Sequence, residues 1–373
     1  MSNSSFKGFS FASWGNDLYT GRKNYKIVQA RKKFYFASGI LLALCLLVIF
    51  IRGFNLGIDF TGGTLFQIQS TTNTSQQIAT DALKQVLPDE SALVSNVGAT
   101  GIKVQTVNLS EADSIKARDA LAKAYDVQTD EVSITSIGPT WGNDVFWAAI
   151  RGLGIFLLLA AIFMTIYFRN WRMAVSGVAA LFHDMIVTVG VYALVGWEIT
   201  PATMIGFLTV IGYSMYDTVV VFDKVRENTA NLLNQTRTTY EEQANLAVNQ
   251  TMVRSINTTV VALLPVGSVL FIGAFIMGAG SLRDIALALF VGMIAGAYSS
   301  IFLATPMEVT FTNRDKKIFA HTEQVLAKRA KTAQELNVDI NDAQVTAYYA
   351  PGQMLPGHHQ GQRVVRKPRK KRR

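Results

Sequence analysis

Residues 34–51 read FYFASGILLALCLLVIFI, a run without one charged side chain. A helix needs about 20 such residues to cross the hydrocarbon core, with roughly 17 as the short limit. This run therefore predicts a membrane span. Five more follow: Val145–Phe168, Ala174–Gly196, Ala202–Phe222, Ile256–Met277 and Ile285–Thr305. Backbone groups cannot stay unpaired in lipid, so each is read as a helix. The remaining composition agrees. Of 373 residues 50% are hydrophobic and 16% charged, where soluble domains carry about 25% charge. The expected class is an α-helical multi-pass membrane protein with six spans.

More than thirty residues precede the first run, and Arg52-Gly53-Phe54-Asn55 follows it with no small-x-small cleavage pattern. It is read as a retained anchor and not as a signal peptide. Lysine and arginine in the loops set orientation. Before the first span lie Lys7, Arg22, Lys23, Lys26, Arg31, Lys32 and Lys33 against Asp17 alone, Arg169 and Arg172 lie between the second and third spans, and the chain ends RKPRKKRR. The 52–144 loop carries eleven acidic against six basic residues. This pattern places both termini on the cytoplasmic side of the cytoplasmic membrane and the large loop outside. The net charge of +9 is thus read as topology, and nucleic acid is not expected as a partner. The tail is read as solvated and topology-fixing, with anionic lipid or ribosomal RNA as the alternatives.

Four regions lie outside the spans: residues 1–33, the 52–144 loop, a mixed-charge loop 223–253 read as a surface helix pair, and a basic tail 306–373 expected to be disordered. Aromatics at Phe6, Phe9, Phe11, Trp14 and Tyr19 suggest that the N-terminal segment rests on the membrane interface. The outer loop is long enough to fold. Thr64–Gln69, Ala92–Val97, Ile102–Asn108 and Glu131–Ile137 read as strands, and Ser75–Val86 and Ser110–Tyr125 as helices, the latter opened by a Ser-x-x-Asp capping signal. The order βαββαβ is the split-βαβ, ferredoxin-like arrangement. Such a domain assigns no function by itself.

An ionisable group inside a span costs roughly 2.5–3.5 kcal/mol on insertion scales and points to function by default. Asp217 qualifies, in GYSMYDTVVVF, with Gly206, Val210 and Tyr213 on the same helical face. A carboxyl balanced between burial and a nearby cation can exchange protons; a structural hydrogen bond between helices is the alternative. Arg254, at the start of the fifth span, is either a partner for that carboxyl or an arginine marking the border. His183-Asp184 in the third span could relay protons or form a structural contact, and successive helical residues diverge by about 100°. Gly292 and Gly296 suit close helix packing, and Pro265 predicts a kink. No nucleotide-binding loop, no Gly-x-Ser-x-Gly elbow and no metal-ligand spacing occur; His358-His359 is an isolated pair, and the single Cys45 lies in the first span. Neither enzyme activity, cofactor nor metal is expected, and energy must come from a partner ATPase or an ion gradient.

These residues resemble the bacterial SecF family, the smaller half of the RND-like SecDF accessory complex of protein translocation. The match lies in four blocks in order: Gly53–Gly63 (GFNLGIDFTGG), His183-Asp184, Ile211–Asn228 (IGYSMYDTVVVFDKVREN) and Asn249–Thr259 (NQTMVRSINTT). The motif positions are Gly57, Asp59, Phe60, Gly62, Gly63, Asp223, Arg226, Glu227, Asn228 and Asn257. The resemblance implies association with SecD and the SecYEG channel, indirect cooperation with SecA, and use of the proton-motive force to complete preprotein translocation. It assigns the family's membrane aspartate to Asp217 and its arginine to Arg254, pairing when Asp217 is ionised, while the companion aspartate belongs to SecD. A non-conducting assembly subunit and an RND-type small-molecule exporter are the competing readings; one modest outer domain and six spans argue against the exporter.

Overall fold

The structure is a computed structural model that describes residues 11–69, 71–88, 90, 92–98, 100–274, 280–340 and 349. Phe6, Phe9, His358-His359 and the terminal basic run lie outside the described residues. In chain order the elements are α1 (Phe11–Tyr19), α2 (Arg31–Arg52), β1 (Asn55–Leu56), α3 (Ile58–Thr61), β2 (Gly63–Ile68), α4 (Gln76–Val86), β3 (Leu93–Val97), β4 (Gly101–Thr106), α5 (Glu111–Tyr125) and β5 (Val132–Ile137). Then come α6 (Pro139–Phe168), α7 (Trp171–Val195), β6 (Glu198–Ile199), α8 (Pro201–Thr229), α9 (Tyr240–Ser268), α10 (Gly280–Ser299), α11 (Thr305–Thr312) and α12 (Lys316–Leu336). Among the described residues six helical segments are long and apolar enough to span a bilayer: Arg31–Arg52, Pro139–Phe168, Trp171–Val195, Pro201–Asn234, Tyr240–Ile272 and Leu282–Thr312. The protein is a multi-pass membrane protein. Because six spans alternate, the N- and C-terminal segments share one face, the tail side, and the 52–138 segment occupies the other, the domain side.

Several helices run past their expected ends. The 223–253 segment is not a separate surface pair: α8 continues to Thr229 and α9 starts at Tyr240, capped by Thr239, whose side chain accepts from the Glu242 amide. Hydropathy marks only the lipid-facing part of a helix, so polar extensions escape it. Pro265 lies inside α9, and the helix loosens into a π-helical stretch over Val269–Ala274, a common response where a proline removes one ladder bond.

The domain-side segment folds as the sequence order requires. Its four strands lie in the order β3-β4-β2-β5, every pairing antiparallel, which is the split-βαβ sheet. Alternation puts Phe66 and Ile68 of β2 and Ile102 and Val104 of β4 beneath α4 and α5, where Leu83 and Leu121 complete a buried core. The opposite sheet face looks toward the membrane spans.

A short connector ties this domain down. β1 pairs in parallel with β6, Asn55 opposite Glu198 and Leu56 opposite Ile199, and the Gly57 amide donates to the Ile199 carbonyl at 2.9 Å. Glu198 accepts from Lys103 Nζ and Gln105 Nε2, both on β4. Phe60 is buried and meets Phe146 of α6 edge-on at 5.7 Å. Gly62 has φ 73° and ψ 165°, a region open only to glycine. A Cβ there would lie 2.7 Å from Pro139 Cα.

On the tail side both terminal segments are docked. The N-terminal aromatics do not simply lie on the interface: Leu18, Ile27 and Val28 are buried against α8 and α9, and Trp14 Nε1 donates to Tyr25 OH at 3.1 Å. The reason is polar. Asn249 Nδ2 donates to Asn24 Oδ1 and the Tyr25 carbonyl, each at 2.9 Å, and its Oδ1 accepts from the Tyr25 amide at 2.8 Å. Asn245 Oδ1 accepts from the Val28 amide at 3.0 Å. The tail is also structured as far as it is described. In α12, Val325 is buried, His321 Nε2 lies 2.6 Å from the Gln235 carbonyl, and Arg329 donates to both oxygens of Glu242. These contacts pin the 230–239 turn, and the expectation of a disordered tail from residue 306 is corrected to that extent.

Replacing Gly62 by alanine is expected to lower stability by about 1–3 kcal/mol, the usual strain of a forced glycine-only conformation. Gly39→Ala, in open space on α2, serves as the control and leaves the melting temperature unchanged or slightly raised. Thermal unfolding in detergent compares the two.

Candidate functional site

The spans are not equivalent. The apolar windows of α7, α8 and the Leu282–Thr312 span are each 50% buried within the chain, against 11% for α2 and α6 and 17% for α9. Three central helices approach closely because small residues face each other. A Cβ on Gly292 would lie 2.4 Å from Val210 Cγ1, one on Gly296 2.9 Å from Ser214 Cβ, and one on Gly206 2.6 Å from Ala288 Cβ. The glycine pair expected to serve close packing does so, against α8.

This approach assembles a polar cluster in the interior. Asp184 of α7 is fully buried, and its Oδ2 accepts from Ser214 Oγ of α8 at 2.5 Å and Ser299 Oγ of α10 at 2.8 Å. Its Oδ1 lies 3.2 Å from His183 Nδ1. Asp217 of α8 is 6% exposed; Oδ1 accepts from Ser255 Oγ of α9 at 2.6 Å, and Oδ2 from Ser300 Oγ. Two carboxyls and four serine hydroxyls thus join α7, α8, α9 and the sixth span. Ser299 and Ser300 are adjacent in sequence yet serve different aspartates. They sit where α10 passes into a π-helical turn over Ser300–Ala304, a distortion frequent at functional sites.

The arrangement has a chemical direction. An ionised carboxylate only accepts hydrogen bonds, so both serines must donate to it; a protonated one must itself donate, and one serine has to turn. Hydrogen bonds to charged groups contribute about 1.5–3 kcal/mol, neutral ones about 0.5–1.5. Charging Asp217 therefore tightens α8 against α9 and the π turn, and neutralising it loosens them.

One expectation is overturned. Arg254 does not pair with Asp217. It is exposed and donates to Tyr216 OH at 3.0 Å. Successive helical residues diverge by about 100°, so the face of α9 that turns Ser255 to Asp217 turns Arg254 away, and Tyr216 diverges from Asp217 likewise. Tyr213 and His183 do come to the cluster's edge, each with a buried atom, the phenol oxygen and Nε2, that has no hydrogen-bond partner among the described residues. The His183–Asp184 contact, left open by spacing, is made.

Most of the remaining motif positions lie apart from the cluster, toward the two ends of the spans. Gly57, Asp59, Phe60, Gly62 and Gly63 form the domain-side connector. Asp59 lines a cavity of about 320 Å³ with Lys103, Thr200, Arg283 and Asp284. Burial, then the nearby Glu198 carboxylate, push its carboxyl above the ordinary aspartate range, partly offset by Lys103. At the tail-side end of α8, Asn228 Nδ2 donates to Gln250 Oε1 at 3.0 Å, Arg226 reaches the Tyr167 carbonyl at 3.4 Å, and Glu227 pairs with Lys224 at 2.9 Å. Asp223 and Asn257 are exposed. Among the described residues no group of three or more His, Cys, Asp or Glu is placed to hold a metal ion.

With this geometry in view, comparison with known proteins is direct. Residues 117–314 match the family "Protein export membrane protein SecD/SecF, C-terminal", and residues 47–74 match the SecD/SecF GG motif. "Protein translocase subunit SecF" of Streptomyces coelicolor is 43% identical over 86% of this chain and 85% of its own length. The chain belongs to the SecF family. The Mycobacterium tuberculosis protein translocase subunit SecF is 40% identical over 84% of this chain and 72% of its own. Among solved structures, SecDF of Thermus thermophilus, described as a translocon-associated membrane protein, superposes with a TM-score of 0.67 at 30% identity, covering 78% of this chain and 39% of that one. The chain thus spans about two fifths of that longer protein.

The GG-motif match falls on the connector, and the C-terminal match covers every residue of the cluster. Sequence reading missed the serines. Ser214 carries a faint signal, one turn before Asp217; Ser255, Ser299 and Ser300 carry none, since serine is common in spans.

Removing Ser255 and Ser300 together, as alanines, is expected to cost about 1.5–3 kcal/mol per lost bond to Asp217, seen as a lower melting temperature in detergent; Ser214→Ala with Ser299→Ala does the same for Asp184. For Asp59 the raised value means that the folded state holds its proton more tightly than the unfolded chain, so stability falls as pH rises through that window and stays lower above it. Asp59→Asn is expected to raise the melting temperature at neutral pH, with the gap closing below the ordinary aspartate range. A pH series of thermal unfolding reads both.

Proposed function

We propose that this chain is the SecF-type subunit of a Sec accessory complex, drawing on the proton-motive force to help preproteins complete their passage through the SecYEG channel after the SecA motor has driven them in. The membrane is the cytoplasmic membrane, both termini are cytoplasmic, and the split-βαβ domain lies outside; the excess of lysine and arginine on the tail side supports this orientation. The chain is not itself an enzyme and uses no cofactor.

Asp217 carries the reading: a carboxyl buried within the fourth span, tied only to rotatable hydroxyls. One proton crossing the membrane yields about 2.3 kcal/mol per 100 mV, comparable to the bonds that change when Asp217 changes charge. α8 supplies the mechanical link. Asp217 stands sixteen residues, about 24 Å, from Pro201, and β6 immediately before Pro201 holds β1 and, through Glu198, β4 of the outer domain. A shift of α8 is thereby passed to the domain that meets the emerging polypeptide.

Arg254 and Tyr216 point to SecD. They lie on an exposed face of α8 and α9 with Ile205, Asn257, Val261 and Leu264. An arginine at this level is expected to meet protein and not lipid, and the SecD half supplies a companion aspartate within the same reading. A non-conducting assembly subunit remains the competing reading, because four neutral hydroxyls around two aspartates also make a static interhelical knot.

Export measured in inverted vesicles decides between them. Asp217→Asn is expected to leave complex assembly intact while abolishing the stimulation produced by an imposed gradient. Full stimulation by the variant would leave only the assembly role.

A further inference from the structure

Below the aspartate layer the interior is polar in a way the cluster does not use. Ser176 Oγ of α7, Thr218 Oγ1 of α8, Thr305 Oγ1 of α11 and Glu308 Oε2 of α11 are all buried and have no hydrogen-bond partner among the described residues. All four lie on the tail side of the aspartates. Thr218 follows Asp217 directly; Thr305 is five residues beyond Ser300, about 7.5 Å, and Glu308 eight, about 12 Å. Ser176 is likewise eight residues from Asp184, again about 12 Å. α7 packs against both α11 and the π turn, and α8 against the π turn, so the elements that carry these groups adjoin, and by height along the spans the groups make a column. Buried polar atoms in native proteins find partners, internal water included. Toward the domain side Val210 fills the space over Gly292, Phe207 and Ile211 are buried, and the buried hydroxyls of Thr188, Thr200 and Thr203 all have hydrogen-bond partners.

Glu308 stands at the tail-side end of this column. Its Oε1 accepts from Tyr240 OH at 2.6 Å and from Thr312 Oγ1 at 2.7 Å, which leaves Oε2 turned to the interior. Tyr240 and Thr312, the two donors to Glu308, are also walls of a cavity of about 260 Å³ at the tail-side ends of the spans, lined too by Arg172, Arg226, Asp315 and Lys317 but not by Glu308 itself. The charged and titratable groups around Glu308 are Tyr240 on α9, Arg172 on α7, itself held by Asp315 at 2.7 Å, and Tyr35 on α2.

We propose that Glu308 is the exchange carboxyl of a hydrated half-channel running from Asp217 to this tail-side cavity. A proton passes from water in the cavity to Glu308 Oε1 through the Tyr240 or Thr312 hydroxyl, which gives up its own proton and takes one from the water; the O–H bond made at Oε1 balances the one broken at Oε2, and the hydroxyl column with its water carries the proton between Glu308 and the aspartate layer. The conformation is thus open to protons on the tail side and closed on the domain side. Glu308 belongs to the sixth span, beyond the four motif blocks, and its pairing with Tyr240 sets the orientation of its carboxyl.

The inference rests on the proton-coupled reading given above, and the test separates the two. Wild type, Asp217→Asn, Glu308→Gln and Glu308→Asp are compared as assembled complexes in vesicles, for export with and without a gradient. In parallel, wild type and Asp217→Asn are treated with dicyclohexylcarbodiimide, which modifies protonated carboxyls in apolar settings, and the adducts are mapped by mass spectrometry. Glu308→Gln is expected to lower gradient-driven stimulation on the order of tenfold, with Glu308→Asp restoring a part, and Glu308 is expected to be labelled in both treated proteins. Wild-type stimulation by Glu308→Gln, while Asp217→Asn has lost it, overturns the role of Glu308 and leaves the coupling reading standing. Full stimulation by Asp217→Asn overturns both. Should Glu308→Gln fail to assemble, labelling decides: an unmodified Glu308 throughout the neutral range overturns the proposal, and a modified one supports it.

Discussion

Two carboxyls buried inside a bundle immersed in lipid must have every oxygen satisfied by the protein, and this requirement shapes the centre of the molecule. A regular α-helix turns neighbouring residues about 100° apart. The sixth span uses that divergence at the entry to its π turn, Ser299 reaching Asp184 on α7 and Ser300 reaching Asp217 on α8. It is therefore wedged between two helices, each held through an acid. The glycines opposite Val210 and Ser214 are what let it come close enough. Packing and polarity here are one constraint: a larger side chain at Gly296 would push Ser214 away from Asp184.

Hydroxyls make better partners than a fixed cation for a group that changes charge. An arginine donates only, and would hold the carboxylate in one state. A serine rotor can donate or accept, so the cluster remains bonded whichever way Asp217 is charged, with different strengths. This accounts for the central place of neutral donors and the peripheral place of Arg254.

Much of this was legible in the sequence, and the failures have physical causes. Lack of charge over bilayer-spanning lengths revealed all six spans, and period-two alternation with a capping serine revealed the outer domain. Asp217 stood out because an acid in an apolar run is rare. The partner of Asp217 did not, because spacing along one helix says nothing about rotation of another; a single-residue offset separates Ser255, which makes the contact, from Arg254, which does not. Glu308 escaped because the sixth span was ended at Thr305, where hydropathy fades, although the helix continues. α12 escaped because its apolar positions face the 230–239 turn and not lipid.

The asparagine clamp on residues 24–28 bears on how the chain is made. The Tyr25 amide finds its acceptor 224 residues later, on Asn249. At roughly 5–20 residues per second of synthesis, that acceptor appears on the order of 10–45 seconds after its donor. Throughout that interval the Tyr25 amide is without its Asn249 acceptor. The asparagine clamp therefore closes only when the fifth helix arrives, and it ties the order of assembly to the order of synthesis.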